Sequence, residues 1–377
     1  MASQAVLIAA ASGRALGGSA RRAGYAPLIV DYFGDQDTLA LAQSHIRIDH
    51  GLARGMEETA LLTALETLAA AQRPIGVVWG TGFEDRTALL SRIAERWRLL
   101  GNDARTVATV KDPQAFAALC RAAVIPHPDT RMAPPGDPTG WLAKRHGGAG
   151  GSHIATTVAN SGTTDGLYFQ RTAAGAPVSM LFLADGRRAM TLGFSTQWCS
   201  PTVGRPFRYG GAARPAELSP TMAATLTEAV HRVMQSIPLV GLNSADFLVD
   251  GDEFRLLEIN PRPGATLDVF EPAQGSLFAL HIAACDGELS AAPPRFDDAR
   301  AAAIVYAERD IASCPALRWP DWTADRPQPG TAIKAGEPLC TVTAAASTAA
   351  AARVLVDERL ALVLTWTHAG MTHARMS

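Results

Sequence analysis

The chain has 377 residues, of which 47% are hydrophobic and 19% charged, with a formal net charge of −2. This length allows two or three lobes and a large buried core, and the near-neutral charge excludes an electrostatic reason to expect nucleic acid as a partner. The five cysteines are far apart and form no CxxC pair, which argues against a disulfide framework or zinc site and for a reducing compartment. No apolar run approaches the roughly 20 residues of a membrane helix, so we expect a cytoplasmic protein with no membrane partner.

Residues 1–105 are predicted to form a first lobe in which strands and helices alternate. The strands are predicted at 5–10, 27–30 and 75–79, and the helices at about 14–23, 56–72 and 86–100. This alternation predicts a parallel, Rossmann-like sheet with helices on both faces. The loop from Gly80 to Asp85 follows a strand, at the edge where such sheets bind ligands. Glu84 in this loop is therefore a candidate for contacting substrate, with an inert, exposed acid as the alternative.

The first lobe leaves a second function open. A glycine-containing turn follows the first strand, and Asp31 ends the second, which is the outline of a dinucleotide-binding fingerprint. The loop reads ASGRALGG and not GxGxxG, so the match is weak, and tight turns explain its glycines equally well. An oxidoreductase that binds a nicotinamide dinucleotide remains the alternative.

Residues 106–290 contain two of the three lysines found among 34 basic residues. Lys111 is predicted to open a helix, where its charge is unfavourable unless an anion binds nearby. Lys144 lies on a predicted strand that leads into the sequence GGAGGS, residues 147–152. Backbone N–H groups of such a run can approach phosphate oxygens because no Cβ intervenes, although a flexible linker is also possible. Tyr209 to Gly211 is predicted to be a loop that lines a substrate pocket.

The segment from Gly241 to Gly264 predicts a β-hairpin with polar side chains on one face. Glu258 and Asn260 are two residues apart on one strand, and Asp246 on the partner strand has the parity to join them. Two carboxylates and an amide oxygen suit magnesium, which prefers carboxylates together with the phosphates of a substrate. Arg262 follows on the same side, where its guanidinium can bind a phosphate or carboxylate beside the metal.

Two further regions are predicted to carry no chemistry. His281 and Cys285 lie on a helix at 275–286 and are expected to pack in a core and not to bind metal. Residues 291–377 are predicted to form a small β-rich C-terminal lobe, with strands at 302–307 and 330–343 and an alanine-rich helix at 344–353. The tail after Thr365 is expected to fray.

The order of these features along residues 1–290 resembles the ATP-grasp superfamily, whose members join a carboxylate to an amine or another nucleophile through an acyl-phosphate. The resemblance implies an α/β fold with three parts: a Rossmann-like lobe (1–105), an ATP-grasp domain of two subdomains (106–290) and a small C-terminal lobe (291–377). It implies that Asp246, Glu258 and Asn260 hold Mg²⁺ on the phosphates of ATP. Asn260 and Arg262 are then the catalytic residues, with Arg262 facing the acyl-phosphate.

The resemblance also implies how ATP is bound. Residues 144–183 would be a mobile small subdomain, and its hinge would read the adenine. Gln170 occupies a position that is often Glu in the family, and Pro177 stands where an acid commonly approaches the nucleotide, so ribose recognition stays open. The residues implied to bind the nucleotide are Lys111, Lys144, Gly147, Gly148, Gly150, Gly151, Ser152, Gln170 and Arg171.

The implied activity is ATP-dependent amide formation from a small-molecule carboxylate and an amine, with release of ADP and phosphate. The segment LEINPRPGATLDVFE, residues 257–271, resembles ligases of one-carbon cofactor synthesis that attach glutamate, which points to a glutamate-type amino-acid ligase. A non-catalytic nucleotide-binding regulator is a further alternative. Assembly into a homo-oligomer is left open.

Overall fold

The computed structural model describes residues 3–48, 55–156 and 165–368. The strands are β1 (Ala5–Ala9), β2 (Ala26–Asp31), β3 (Ser44–Arg47), β4 (Val77–Trp79), β5 (Thr130–Arg131), β6 (Trp141–Arg145), β7 (Ile154–Thr156), β8 (Leu167–Arg171), β9 (Ala176–Asp185), β10 (Ala189–Cys199), β11 (Tyr209–Arg214), β12 (Val240–Asp250), β13 (Glu253–Asn260), β14 (Ala299–Tyr306), β15 (Thr323–Ala324) and β16 (Pro338–Ala346). The helices are α1 (Arg14–Arg22), α2 (Gln36–Leu41), α3 (Glu58–Ala71), α4 (Thr87–Ala94), α5 (Ala104–Lys111), α6 (Pro113–Ala122), α7 (Pro220–Met234), α8 (Leu267–Phe270), α9 (Leu277–Cys285) and α10 (Ala349–His368).

The first lobe is a parallel sheet in the order β3-β2-β1-β4. Strands β1, β2 and β4 are buried on both faces, since their alternate side chains point to opposite sides and helices cover each side. Leu7 packs with α3 and α4, whereas Val6 and Ile8 pack with α1 and α9. The sequence predicted this layout but missed α2 and β3, which are short and carry few buried side chains.

A central sheet of eight strands has the order β13-β12-β9-β10-β11-β14-β16-β15. One face packs on α6 and α7, and the other packs on the first lobe and α9. The predicted C-terminal lobe does not have a sheet of its own, since β14 pairs with β11 and extends the central sheet. This pairing covers the backbone groups of β11, which would otherwise form an exposed edge.

A small antiparallel sheet, β5-β8-β6-β7, stands apart from the central sheet. The predicted small subdomain, 144–183, differs from it at both ends. The small sheet begins earlier, at Thr130, and β9 belongs to the central sheet. Strand β9 is apolar and buried along most of its length, so it lies between two central strands and not at the small sheet's edge.

Two further predictions were wrong in detail. Residues 209–211 open strand β11 and are not a loop. Residues 344–346 belong to β16, and the last helix runs over Ala349–His368. Most of the tail that was expected to fray, residues 369–377, lies outside the described residues. Helix α10 forms because it packs on β14 and β16, a contact that propensity alone could not indicate. Among the described helices, none is both long and apolar enough to cross a bilayer.

Candidate functional site

The hairpin β12–β13 places the predicted acidic residues side by side. Asp246 lies directly opposite Glu258, and Ser244 lies opposite Asn260. A β-bulge follows Asp246, where the register shifts by one residue. The bulge lets Leu256 and Ile259 both face the core beneath α7 while Glu258 and Asn260 face the opposite side.

Hydrogen bonds join these side chains into one network. The Lys111 ammonium donates to Glu258 Oε2 at 2.9 Å and to Asn260 Oδ1 at 2.8 Å. Asn260 Nδ2 donates to Asp246 Oδ2 at 2.9 Å, and Ser179 Oγ donates to Asp246 Oδ1 at 2.6 Å. The oxygens of Glu258 and Asn260 therefore converge on a single cation, which in this structure is an ammonium group.

The two carboxylates of the network differ in their affinity for a proton. Burial and the neighbouring Glu258 carboxylate raise the pKa of Asp246 to about 6. Burial also acts to raise the pKa of Glu258, but the Lys111 ammonium outweighs it and lowers that pKa to about 2. Both groups are ionised at neutral pH, and Asp246 is the one that protonates in mild acid.

Lys111 does not open a helix, contrary to the prediction. It ends α5, and the following Asp112 caps the start of α6 by accepting from Ala115 N at 2.7 Å. A cation is favourable at a helix C-terminus, so the predicted conflict with the helix dipole does not exist. The sequence-based prediction was wrong because only one residue, Asp112, separates α5 from α6. Helix α5 was not predicted, so Lys111 was assigned to the start of the second helix.

Lys144 lies in the small sheet and is only 8% exposed. Its ammonium donates to Gln170 Oε1 at 2.6 Å on the neighbouring strand β8. Burial lowers the pKa of Lys144, and the Glu258 carboxylate opposes that effect. The Arg171 side chain points elsewhere: it donates to Thr139 O at 2.9 Å and lies over Trp141.

The glycine run connects β6 to β7 and contacts two other parts of the molecule. Gly147, Gly150 and Gly151 have positive φ angles of 62°, 66° and 70°, which favour glycine. A Cβ at Gly147 would lie 2.7 Å from the backbone of Asp85, and one at Gly151 would lie 1.8 Å from Phe207 O. The absence of side chains therefore permits close approach on both sides, while Ser152 is exposed.

Glu84 is buried, so the alternative of an inert, exposed acid does not hold. It is 4% exposed and forms a buried ion pair with Arg262, with Glu84 Oε1 2.7 Å from Arg262 Nε. Burial acts to raise the pKa of Glu84, but Arg262 and Lys111 lower it below its usual range. Glu84 thus joins the first lobe to Arg262, which follows the hairpin β12–β13, and its contact with substrate stays a prediction.

The acid of the dinucleotide-like outline has a structural role. Asp31 is fully buried, and its oxygens accept from Gly13 N, Gly34 N and His45 Nε2, each at 2.9 Å. A Cβ at Gly13 or Gly17 would lie 2.3 or 2.6 Å from the Ile29 side chain. These glycines bring α1 close to β2. Asp31 is buried with both oxygens bonded to protein groups, so it is not accessible to ribose hydroxyls and the lobe offers little to a dinucleotide.

Sequence reasoning missed three polar residues at the site. Ser179 lies opposite Asp246 across β9 and β12, a pairing that only the sheet order reveals. His153 packs under Gly148, and burial lowers its pKa. His127 bonds Leu256 O at 2.7 Å. For His153 a signal existed, since it directly follows the glycine run.

His281 was expected to be structural, and its contacts agree. The ring accepts from Leu242 N at 2.9 Å, and its other nitrogen lies 2.9 Å from Leu100 O. Burial lowers its pKa to about 4, so the ring is neutral and joins α9 to the central sheet and the first lobe.

A cleft runs between α6, the small sheet and β13. Lys111, Gly147, Gly148, His153, Gln170 and Glu258 line it, with Phe116 and Leu257 as apolar walls. Among the described residues, no three His, Cys, Asp or Glu side chains form a metal-binding group. The protein thus offers two carboxylates and one amide oxygen, which fits Mg²⁺ because that ion usually takes its other ligands from substrate phosphates and water.

Residues 114–266 match the sequence family of the ATP-grasp domain. No curated protein sequence matches the chain. The biotin carboxylase domain of Hydrogenobacter thermophilus 2-oxoglutarate carboxylase has a similar structure, with a TM-score of 0.69 and 12% identity over 90% of this chain and 86% of that chain. N5-carboxyaminoimidazole synthetase of Staphylococcus aureus gives 0.65 and 14%, covering 92% of this chain and 94% of that one. The Aspergillus clavatus synthase gives 0.68 and 13%, covering 97% and 99%.

The chain therefore contains an ATP-grasp domain, set in the fold that these ATP-grasp enzymes share. The predicted α/β fold class is confirmed, and the match over residues 114–266 confirms the predicted ATP-grasp domain.

Proposed function

We propose that the protein is an ATP-dependent carboxylate–amine ligase. The observation that carries this proposal is the network of Lys111, Asp246, Glu258 and Asn260, of which Lys111 and Glu258 line a cleft together with Gly147 and Gly148 of the glycine run. A metal-bound triphosphate needs cationic groups for its phosphates and oxygen ligands for its metal, and this arrangement supplies both. A purely structural role would not explain why Lys111 is buried in the lining of this cleft while Lys144 is buried and bonded to Gln170, another lining residue.

Each side chain has a role in this reaction. Lys144 and the N–H groups of Gly147 to Gly151 would bind the phosphates under the closed glycine run. Asp246, Glu258 and Asn260 would hold Mg²⁺, which offsets charge on the phosphates when bound. Lys111 must then leave these oxygens and turn to the phosphates. Arg262 would face the γ-phosphoryl group as it passes to the carboxylate oxygen, forming an acyl-phosphate and ADP.

The second half of the reaction needs no protein nucleophile. The amine nitrogen attacks the acyl carbon, the C–O bond to phosphate breaks, and the amine loses a proton as inorganic phosphate leaves. Catalysis would consist of positioning and electrostatic stabilisation in a cleft that excludes water. Excluding water matters because an acyl-phosphate hydrolyses readily once solvent reaches it.

The substrates are proposed to be a small carboxylic acid and an amine. The EINPR-centred segment favours an amino acid of the glutamate type as one of them. Bicarbonate is a second candidate for the carboxylate, since the H. thermophilus domain was solved with MgADP and bicarbonate, and the A. clavatus enzyme with ADP and 5-aminoimidazole ribonucleotide.

The test is ADP release in the presence of Mg²⁺ over a panel of acids, including bicarbonate and glutamate, crossed with a panel of amines. We expect release that requires one acid and one amine together, and that is lost in Glu258→Gln without loss of the fold. Thermal stabilisation by NADH or NADPH but not by Mg·ATP would instead favour the oxidoreductase. Tight Mg·ATP binding with no turnover on any pair would favour a nucleotide-binding regulator.

A further inference from the structure

The loop between β4 and α4 joins the first lobe to the residue that follows the metal hairpin. Glu84 and Arg262 are 178 positions apart in sequence, yet Glu84 Oε1 accepts from Arg262 Nε at 2.7 Å. The other oxygen, Oε2, accepts from the N–H groups of Gly82 and Phe83 at 2.8 and 3.0 Å. Both oxygens of Glu84 are therefore fixed, and with them the position of the Arg262 Nε edge.

The remaining edge of the Arg262 guanidinium is directed by local backbone. Nη1 lies against Gly264, where a Cβ would be 2.6 Å away, and it is 3.5 Å from Pro263 O. Within the described part of the chain, Nη2 has no hydrogen-bond partner on the protein. Because the guanidinium is planar, fixing Nε and Nη1 also fixes the direction in which Nη2 donates.

Arg262 lies two residues after Asn260, the last residue of β13, and its backbone N–H donates to Asn260 O at 2.8 Å. The same first-lobe loop also packs against the glycine run: Gly147 is so close to Asp85 that a Cβ on Gly147 would lie 2.7 Å from Asp85 N. One loop thus contacts both the arginine and the segment proposed to cover the phosphates.

We propose that Glu84 is a positioning residue that holds the Arg262 guanidinium in the orientation needed to bind the transferring phosphoryl group. The first lobe would then be part of the phosphoryl-transfer site. This inference rests on the proposed ligase function. Loss of one preorganised donor to a developing charge typically costs about 100- to 1,000-fold in rate, so misorientation of Arg262 should be measurable.

The alternative is that Glu84 and Arg262 form only a structural link between two lobes. A structural link would change stability without distinguishing one nucleotide state from another. A positioning residue acts through Arg262, so its loss should matter only when a phosphoryl group or its mimic is present, and only while Arg262 is intact. These two expectations separate the roles.

The experiment is titration calorimetry of the full chain with Mg·ADP, and with Mg·ADP plus aluminium fluoride, a mimic of the phosphoryl group in transfer. In Glu84→Gln we expect the Kd for Mg·ADP to stay within about twofold of wild type, while the tightening produced by aluminium fluoride falls at least about tenfold. Arg262→Gln should show the same selective loss, and the double variant no further loss. Should the amide variant fail to fold, Glu84→Asp keeps the charge but shortens the reach, and the same selective loss is expected.

Asp298→Asn is the matched control, because it breaks another ion pair of 2.7 Å on a buried arginine, Arg214, away from the cleft. It should leave both affinities unchanged. Glu84 variants that match wild type with aluminium fluoride, or losses that add in the double variant, would overturn the inference while leaving the ligase proposal intact. No tightening in the wild type would also overturn it, since Arg262 would then hold no phosphoryl group. No binding of Mg·ADP by the wild type would overturn the proposed function itself.

Discussion

The Lys111 side chain is 7% exposed and the Lys144 residue is 8% exposed, and each ammonium donates to a side chain on another element. Replacing either with Met should weaken binding of a non-hydrolysable ATP analogue by about 1.5–3 kcal/mol, the scale of a charged hydrogen bond. Lys334 provides the control, since it is 71% exposed and paired with Asp310 outside the cleft. If calorimetry gives the same affinity for the ATP analogue in all three Met variants, Lys111 and Lys144 do not bind its phosphates.

The raised pKa of Asp246 makes magnesium binding depend on pH. A carboxylate must lose its proton before it can bind a metal, and the pKa of Asp246 is raised to about 6 by burial and Glu258. The affinity for Mg²⁺ in the presence of the ATP analogue should therefore be constant above that pH. It should fall as pH decreases through 6, approaching about tenfold per unit well below it.

Ser179 offers a way to separate this effect from protonation of the nucleotide. Its hydroxyl donates to Asp246 and acts to lower the pKa of that carboxyl. In Ser179→Ala the hydrogen bond to the ionised form is lost, so the pKa should rise and the midpoint of Mg²⁺ binding should move to higher pH. The nucleotide titrates identically in both proteins, and an unchanged midpoint would mean that Asp246 is not a ligand.

At the scale of elements, the glycine run is proposed to be a lid that closes on ATP. Its backbone has few side chains to hold it and much conformational freedom. Loop amides and the flanking strands β6 and β7 should gain protection from hydrogen exchange on adding Mg²⁺ and an ATP analogue, whereas α7 should change little. Amides that are already protected without nucleotide, or that do not respond to it, would show that the run is a structural turn.

Two neighbouring glycines allow a paired test of lid closure. Gly150 and Gly151 have similar positive φ angles, but a Cβ at Gly150 meets nothing within 4 Å, whereas one at Gly151 would lie 1.8 Å from Phe207 O. Alanine at either position carries a backbone strain of about 1 kcal/mol, and only Gly151→Ala adds a clash with the segment before β11. We expect Gly151→Ala to weaken binding of the ATP analogue more than Gly150→Ala does, and equal affinities would contradict closure onto Phe207.

At the scale of the whole molecule, the C-terminal strands are part of the central sheet. A chain ending at residue 290 would lose β14, β15 and β16 and would leave β11 as an exposed edge. It would also lose the core around Val305, Val342 and α10. We expect this truncated protein to aggregate or unfold, as judged by size-exclusion chromatography and thermal unfolding. A stable monomer that still binds Mg·ATP would show that residues 291–377 form an independent lobe after all.

The sequence by itself determined the local parts of the site. The parity of Glu258 and Asn260, the turn between two apolar runs and the scarcity of lysine indicated the metal hairpin and the nucleotide side chains. The structure brings Lys111, Asp246, Glu258 and Asn260 together. Glu258 and Asn260 share a face by strand alternation, whereas Asp246 lies opposite Glu258 because the β-bulge shifts the register by one residue. Their roles as ligands remain predictions.

Only the tertiary structure decided which distant residues meet. The contact between Glu84 and Arg262 depends on how the first lobe packs against the central sheet, and the contact between Ser179 and Asp246 depends on strand order. Packing between distant segments also explains why β14 pairs with β11 and why Asp31 accepts hydrogen bonds from Gly13, Gly34 and His45. Such burial and pairing depend on packing between segments that are far apart in the chain. Local patterns of hydrophobicity and propensity do not specify which distant segment a strand or loop will contact.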